Sequence, residues 1–249
     1  MKLHGTTVLV TGGARGVGRE LTRQLVDLGA HVVAVGRDAD RLADLVAVHG
    51  DRVSVEAVDL SDPMAVDALT DGLPERHPEL RAVFNNAGVQ HLTDFLTEDP
   101  RTVRQVVRRE LAVNLDAVIA LSTGLLPHLR SQPSAAIVNV SSGLAIAPKP
   151  SAPAYCAAKS AVRTFTRALR YQCEDGAPHV QVVDAVLPLV DTDMTAGRGR
   201  AKISPAEAAR SVIRGVLRGR SEVYVGGAAL LPTLMRIAPS VGYRALRRG

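Results

Sequence analysis

Eight residues near the N-terminus, Thr11-Gly12-Gly13-Ala14-Arg15-Gly16-Val17-Gly18, limit the possible folds more than any other stretch. They follow an apolar run, Thr6 to Val10, and lead into an amphipathic one, about Gly18 to Leu28. A strand that turns through glycines into a helix presents unpaired N–H groups at the helix start, where a close-approaching backbone can receive a pyrophosphate. Gly12, Ala14, Arg15, Gly16, Val17 and Gly18 are therefore candidates for a phosphate cradle. The bland alternative is a plain strand-to-helix turn, because turns are glycine-rich in any protein.

The rest of the chain repeats the strand-then-helix rhythm. Strand-like runs lie at His31–Val35, Val53–Val58, Ala82–Asn86, Ala136–Val140, Val180–Val186 and Glu222–Val225. Helical patterns separate them at about Asp38–Val48, Met64–Leu73, Arg101–Leu129 and Ala154–Cys173. Ser204-Pro205-Ala206-Glu207 has the cap serine, first-turn proline and third-position glutamate of a helix start. The apolar content is Val, Leu and Ala, with aromatics at only 3%, which suits buried parallel strands. This pattern predicts an α/β chain: one Rossmann-type doubly wound parallel sheet of about seven strands, helices on both faces. Residues 1–227 form that domain, and 228–249 a C-terminal amphipathic appendage of it, with apolar spacing at Leu230, Leu231, Leu234, Met235, Ile237, Val241 and Leu246.

The end of the second strand selects the cofactor type. An acid there binds a ribose 2′-hydroxyl, whereas an arginine accommodates a 2′-phosphate. The strand ends Val35-Gly36-Arg37-Asp38. Arg37 and Arg15 favour NADP(H); Asp38 keeps NAD(H) open as the other option. Both arginines can equally be solvated surface residues.

Tyr155 and Lys159 stand four residues apart at the start of a helical stretch, so they share a face. A phenol titrates near ~10, and a neighbouring ammonium lowers that value by stabilising the phenolate. Such a pair can protonate a carbonyl oxygen or deprotonate an alcohol. Alone, the spacing is weak, but further motifs occur in order: Asn85-Asn86-Ala87-Gly88, Val113-Asn114-Leu115 and Ser141-Ser142. Together they resemble the short-chain dehydrogenase/reductase family over roughly residues 5 to 227.

The resemblance implies an oxidoreductase acting between a nicotinamide and a carbonyl or secondary alcohol. Tyr155 is then the general acid/base, Lys159 holds the nicotinamide ribose and tunes Tyr155, and Ser142 bonds the substrate oxygen. Asn114 holds a water that links Lys159 to solvent. Asn86, Ala87 and Gly88 line the adenosine side, Asp59 and Leu60 meet the adenine, and Val190 and Thr192 contact nicotinamide and phosphate. The bland readings are a helix cap for Ser142, an internal hydrogen bond for Asn114 and a strand-end turn for Asp59. One departure stands out: Leu187 and Pro188 replace the family's proline and glycine, so the pocket floor differs. This run, with Ser204-Pro205 and Tyr224-Val225-Gly226, is similar to the bacterial DltE-like subgroup. The alternative function is an NADP-binding sensor or scaffold on the same fold without turnover.

Cys156 and Cys173 lack ligand spacing, so no metal site is expected, and free thiols suit a cytoplasmic protein. No signal segment and no apolar run of membrane-spanning length is apparent. From Met194 onward eleven Lys/Arg face two acidic residues. That basic part is a solvated face or a weak peripheral membrane contact. Nucleic acid is not an expected partner, given few aromatics for stacking. A small carbonyl or alcohol and a homodimeric or homotetrameric assembly are. Gln90 and His91 lie near the expected cleft, and Gly197 and Gly199 flank a mobile-lid candidate.

Overall fold

The computed structural model describes residues 3–199 and 201–247. Seven strands form one sheet in the order β3-β2-β1-β4-β5-β6-β7. They are β1 (Thr7–Thr11), β2 (His31–Gly36), β3 (Val53–Ala57), β4 (Leu80–Asn85), β5 (Ala135–Ser142), β6 (Val180–Leu187) and β7 (Glu222–Tyr224). Every pairing is parallel; Leu9, for example, sits opposite Val33 on one side and Val83 on the other. β1 and β5 are buried along their whole length, which explains their unbroken apolar character. β3 at the edge is buried only at Val53, its other residues being half-buried or exposed.

Helices cover both faces. On one, α1 (Gly16–Asp27) and α7 (Pro205–Leu217) pack together, placing Leu21, Leu25, Val212 and Val216 against Val8, Val10 and Val183. On the other, α3 (Pro63–Arg76), α5 (Ala117–Ser131) and α6 (Pro153–Gly176) set Leu69, Leu121, Leu125 and Leu169 on Leu9, Val83 and Ile137. α2 (Ala39–His49) follows β2. Ser204 caps α7 through the Glu207 N–H at 3.1 Å, as the sequence predicts.

α4 (Pro100–Leu111) runs through a π-helical turn, Ala112–Asp116, into α5. Contrary to the sequence reading, this continuous helix of residues 100–131 is long and apolar enough to cross a membrane by length and composition. Its apolar side instead packs on the domain: Leu121, Leu125 and Leu129 are buried against α3, β4 and β5.

After β7 the chain forms α8 (Leu231–Ile237) and α9 (Pro239–Arg247), divided at Pro239. Leu230, Ile237, Val241 and Tyr243 are exposed there. The side chain of Leu246, and Arg200 and Arg248 of the basic part, lie outside the described residues.

Candidate active site

The strand order reverses between β1 and β4, so their carboxyl ends diverge and open a crevice. A cleft of about 470 Å³ lies there. Of the cofactor and catalytic residues named from the sequence, all line this cleft except Gly18 and Asn114, which sit one layer behind its wall.

The glycine turn is built by close backbone approach. Gly12 and Gly16 adopt φ of +66° and +50°, which a side chain disfavours. The N–H groups of Gly12 and Gly13 donate to the Val35 carbonyl at 2.8 and 3.2 Å, tying the turn to β2. A Cβ on Gly18 would stand 2.0 Å from the Gly12 oxygen and 2.7 Å from Asn86 Nδ2. Thr11 and Asn86 lace the two strand ends: Thr11 Oγ1 accepts from the N–H groups of Asn86 and Ala87, and Asn86 Nδ2 donates to the Thr11 carbonyl at 2.9 Å. Arg15 occupies the α1 cap position without a side-chain cap bond. The first N–H groups of α1 thus face the cleft without a side-chain acceptor. This cradle suits a dinucleotide pyrophosphate.

At the end of β2 the acid and the arginine are differently engaged. Asp38 is engaged as the cap of α2: it accepts from Arg41 N at 3.1 Å and pairs with Arg41 Nε at 3.2 Å. Arg37 faces the cleft and pairs with Asp59 at 3.6 Å. Asp59 also accepts from the Ser61 N–H and hydroxyl at 2.9 and 2.8 Å, so its strand-end turn role is realised at the cleft wall. Arg41 is a third cation in the wall. Sequence reading missed it, although an arginine three residues after a capping aspartate is placed to reach back over the helix start.

Tyr155 lies in the first turn of α6, and Lys159 one turn on. Lys159 Nζ is 5.9 Å from the Tyr155 ring centre and donates to the Val140 carbonyl at 2.9 Å. The structure here differs from the expectation that the ammonium lowers the phenol's pKa. Burial dominates and pushes Tyr155 up to about 12; the hydroxyl of Ser142 offsets this only in part, and the charge of Glu110 adds to the rise. Burial likewise brings Lys159 down to about 8, against a smaller upward pull from Asp184.

A stability effect follows. Folded Lys159 loses its proton near pH 8, the unfolded chain near 10.5. The unfolded state therefore binds more protons across that window, so stability rises with pH there. Below pH 8 the buried charge costs folding about 3 kcal/mol. Tyr155 acts in the opposite sense only above pH 10. Lys159→Met should therefore melt higher than wild type at pH 7, with the gap closing towards pH 10. Parallel melting curves against pH for the two proteins would contradict this.

Asn114 is fully buried in the π-helical turn, and its amide clasps one residue. Nδ2 donates to the Val89 carbonyl at 2.8 Å and Oδ1 accepts from the Val89 N–H at 3.0 Å. The side chain is thereby tied to the backbone after β4. Gly88 threads between these groups: a Cβ there would meet Asn114 Oδ1 at 3.1 Å and Lys159 Nζ at 3.7 Å. Ser142 ends β5, lines the cleft and accepts from the Leu144 N–H at 3.1 Å. Its neighbour Ser141 donates to Asp184, which pairs with Arg163 at 3.3 Å. Pro188, Val190 and Thr192 form the wall after β6. His91, in the opposite wall, leans on the buried carboxylate of Glu110 through its N–H and Nδ1.

Fold and cleft together define a nucleotide-binding oxidoreductase. A family model described as short chain dehydrogenase matches residues 6–202. The chain belongs to that family, the NAD(P)-dependent short-chain dehydrogenases/reductases. It is 35% identical over 230 residues to an uncharacterized oxidoreductase, DltE, of Bacillus subtilis, covering 90% of this chain and 89% of that protein. The DltE-like resemblance read from the sequence is thus borne out. Among solved structures, a short chain dehydrogenase from Burkholderia cenocepacia in complex with NADP matches with a TM-score of 0.86 and 27% identity, over 99% of each chain. A short chain dehydrogenase/reductase from Burkholderia phymatum in complex with NAD, at TM-score 0.84 and 21% identity over 98% of this chain and 96% of that one, shares the fold.

Proposed function

We propose that this chain is an NADP-dependent oxidoreductase of a carbonyl or secondary alcohol in which Tyr155 is the general acid/base. The observation that carries this reading is the convergence of Ser142, Tyr155 and Lys159 in the same cleft as the glycine cradle. The nicotinamide, when bound, supplies or takes up the hydride. Tyr155 Oη donates its proton to the carbonyl oxygen in reduction and recovers it in oxidation. A phenol held near 12 stays protonated at neutral pH and is a weak acid, so proton transfer needs the charge of Lys159 and the Ser142 hydroxyl to stabilise the phenolate. Ser142 Oγ donates to the same oxygen. Lys159 would hold the nicotinamide ribose with the donors its bond to the Val140 carbonyl leaves free, and its charge would support the phenolate.

The preference for NADP rests on Arg15 and Arg37 facing a cleft in which Asp38 is occupied by α2 and Arg41. Arg41 adds a third guanidinium to the same wall, paired there with Asp38 and Asp193. We expect NADPH to exceed NADH in kcat/KM by at least about tenfold, since charge-assisted hydrogen bonds contribute roughly 1.5–3 kcal/mol. Arg15→Ala and Arg37→Ala should each narrow that ratio by about tenfold. A wild-type ratio near one, or in favour of NADH, would refute the NADP assignment.

Residues 228–249 belong to the same domain in this reading, and α8 covers the substrate side. Leu231 supports this, because its Cδ1 lies 2.9 Å from where a Cβ on Gly143 would be, one residue past Ser142.

A further inference from the structure

Three loops meet on the substrate side of the cleft, and they bring cations with them. Arg198 follows β6 and is flanked by Gly197 and Gly199 with φ of +72° and +58°. Its Nη1 reaches across the cleft mouth to Gln90 Oε1 in the opposite wall. Thr93, three residues beyond Gln90, donates its N–H to the Ser151 carbonyl at 3.1 Å, so the loop after β5 closes on the same segment. That loop carries Lys149, whose carbonyl lies over the Cys156 thiol at 3.9 Å, beside Tyr155. Burial and the nearby charge of Arg198 both press the Lys149 ammonium below its ordinary value.

Both cations are half-buried, and among the described residues neither forms an ion pair. The neighbouring acids are engaged elsewhere. Glu110 is covered by His91; Asp94 accepts from the Leu96 N–H, and Glu98 from the Asp94 N–H. Asp191 pairs with Lys202. Partial burial without a counter-charge weakens a cation's hydration, which an anionic ligand would offset. Arg198 is also the only one of the two with a planar fork suited to a two-oxygen anion.

We propose that Arg198 and Lys149 form an oxyanion-recognition site at the mouth of the cleft, and that the carbonyl or alcohol substrate carries an anionic group remote from its reacting carbon. This inference rests on the oxidoreductase reading above and names its substrate class. Arg198 would exchange Gln90 for the anion. The anion would be held where the loops after β4, β5 and β6 converge, with the reacting carbon inward at Tyr155.

The test uses matched pairs of oxo acids and their methyl esters, with the oxo group two, four or six carbons from the carboxyl. Each pair shares its reacting carbon and differs by one charge. With NADPH, the full chain should give an acid-to-ester ratio of kcat/KM of at least about ten for one spacing. Arg198→Gln should cut that ratio about tenfold, Arg198→Lys should keep most of it, and Lys149→Gln should cut it about threefold. A ratio is read because a merely structural defect lowers acid and ester alike. Calorimetric titration of the same acids into the protein–NADPH complex separates the two levels of inference. Acids that bind through Arg198 without being reduced would uphold the anion site and refute the oxidoreductase reading. Equal wild-type values for acids and esters, an unchanged ratio in both Arg198→Gln and Lys149→Gln, or no binding of any acid would overturn the anion site.

Discussion

Tyr155→Phe is expected to lower turnover by about 10²–10⁴-fold while NADPH binding stays within about threefold. The substitution removes one oxygen and keeps the ring that packs at the start of α6. No hydrogen bond of the cradle or of Asn114 involves that oxygen, so the cofactor wall should be undisturbed. What disappears is the only phenol among the described residues of the cleft wall. Steady-state NADPH oxidation with a reducible carbonyl, alongside fluorescence titration of NADPH, measures both halves. Turnover preserved within tenfold would remove Tyr155 from the chemistry. Loss of NADPH binding would instead assign it a structural role.

Gly18→Ala should have the second large effect, at the other end of the cleft. The added methyl would stand 2.0 Å from the Gly12 carbonyl, far inside contact distance, and 2.7 Å from Asn86 Nδ2. The first clash is with backbone, so no rotamer relieves it. Gly12 must move, and with it the bonds from Gly12 and Gly13 to Val35 and the pairing of Asn86 with Thr11. Overpacking of this kind costs about 1–3 kcal/mol of stability. NADPH affinity should fall at least about 100-fold, close to 3 kcal/mol. Gly176→Ala, at a helical glycine whose added methyl meets no atom within 4 Å, is the control for a simple glycine effect. Equal NADPH affinities for the two variants would show that Gly18 does not shape the cradle.

Much of the fold was legible because parallel strands buried on both faces write themselves as apolar runs. β1, β2, β5 and β6 read that way, and the helices between them carry one apolar stripe each. The π-helical turn at Ala112–Asp116 was not legible, because one extra residue in a turn leaves the surrounding helical periodicity nearly intact. The cleft residues could be named one by one, since the glycines, Asn86 and Ser142 stand at strand ends that the pattern locates, Tyr155 and Lys159 at the start of a helix, and the family resemblance ties them together. Their partners could not. Asp38 kept NAD(H) open as the lesser option; its engagement in capping α2 depends on the local backbone. Arg198 and Gln90 are 108 residues apart, and Ser141 and Asp184 are 43 apart. Such pairs exist only once the sheet has set the strand order. The same holds for Lys159, whose chosen acceptor is a main-chain carbonyl that no side-chain pattern announces.

The central claim is hydride transfer from a nicotinamide to a carbonyl carbon within this cleft. NADPH deuterated at C4, on each face in turn, tests it directly when incubated with the full chain and the oxo acids and esters described above. Mass spectrometry of the product alcohols should find one deuterium on the carbinol carbon from one labelled face and none from the other. NADPH that binds tightly yet gives no deuterium in any alcohol, from either face, would contradict it.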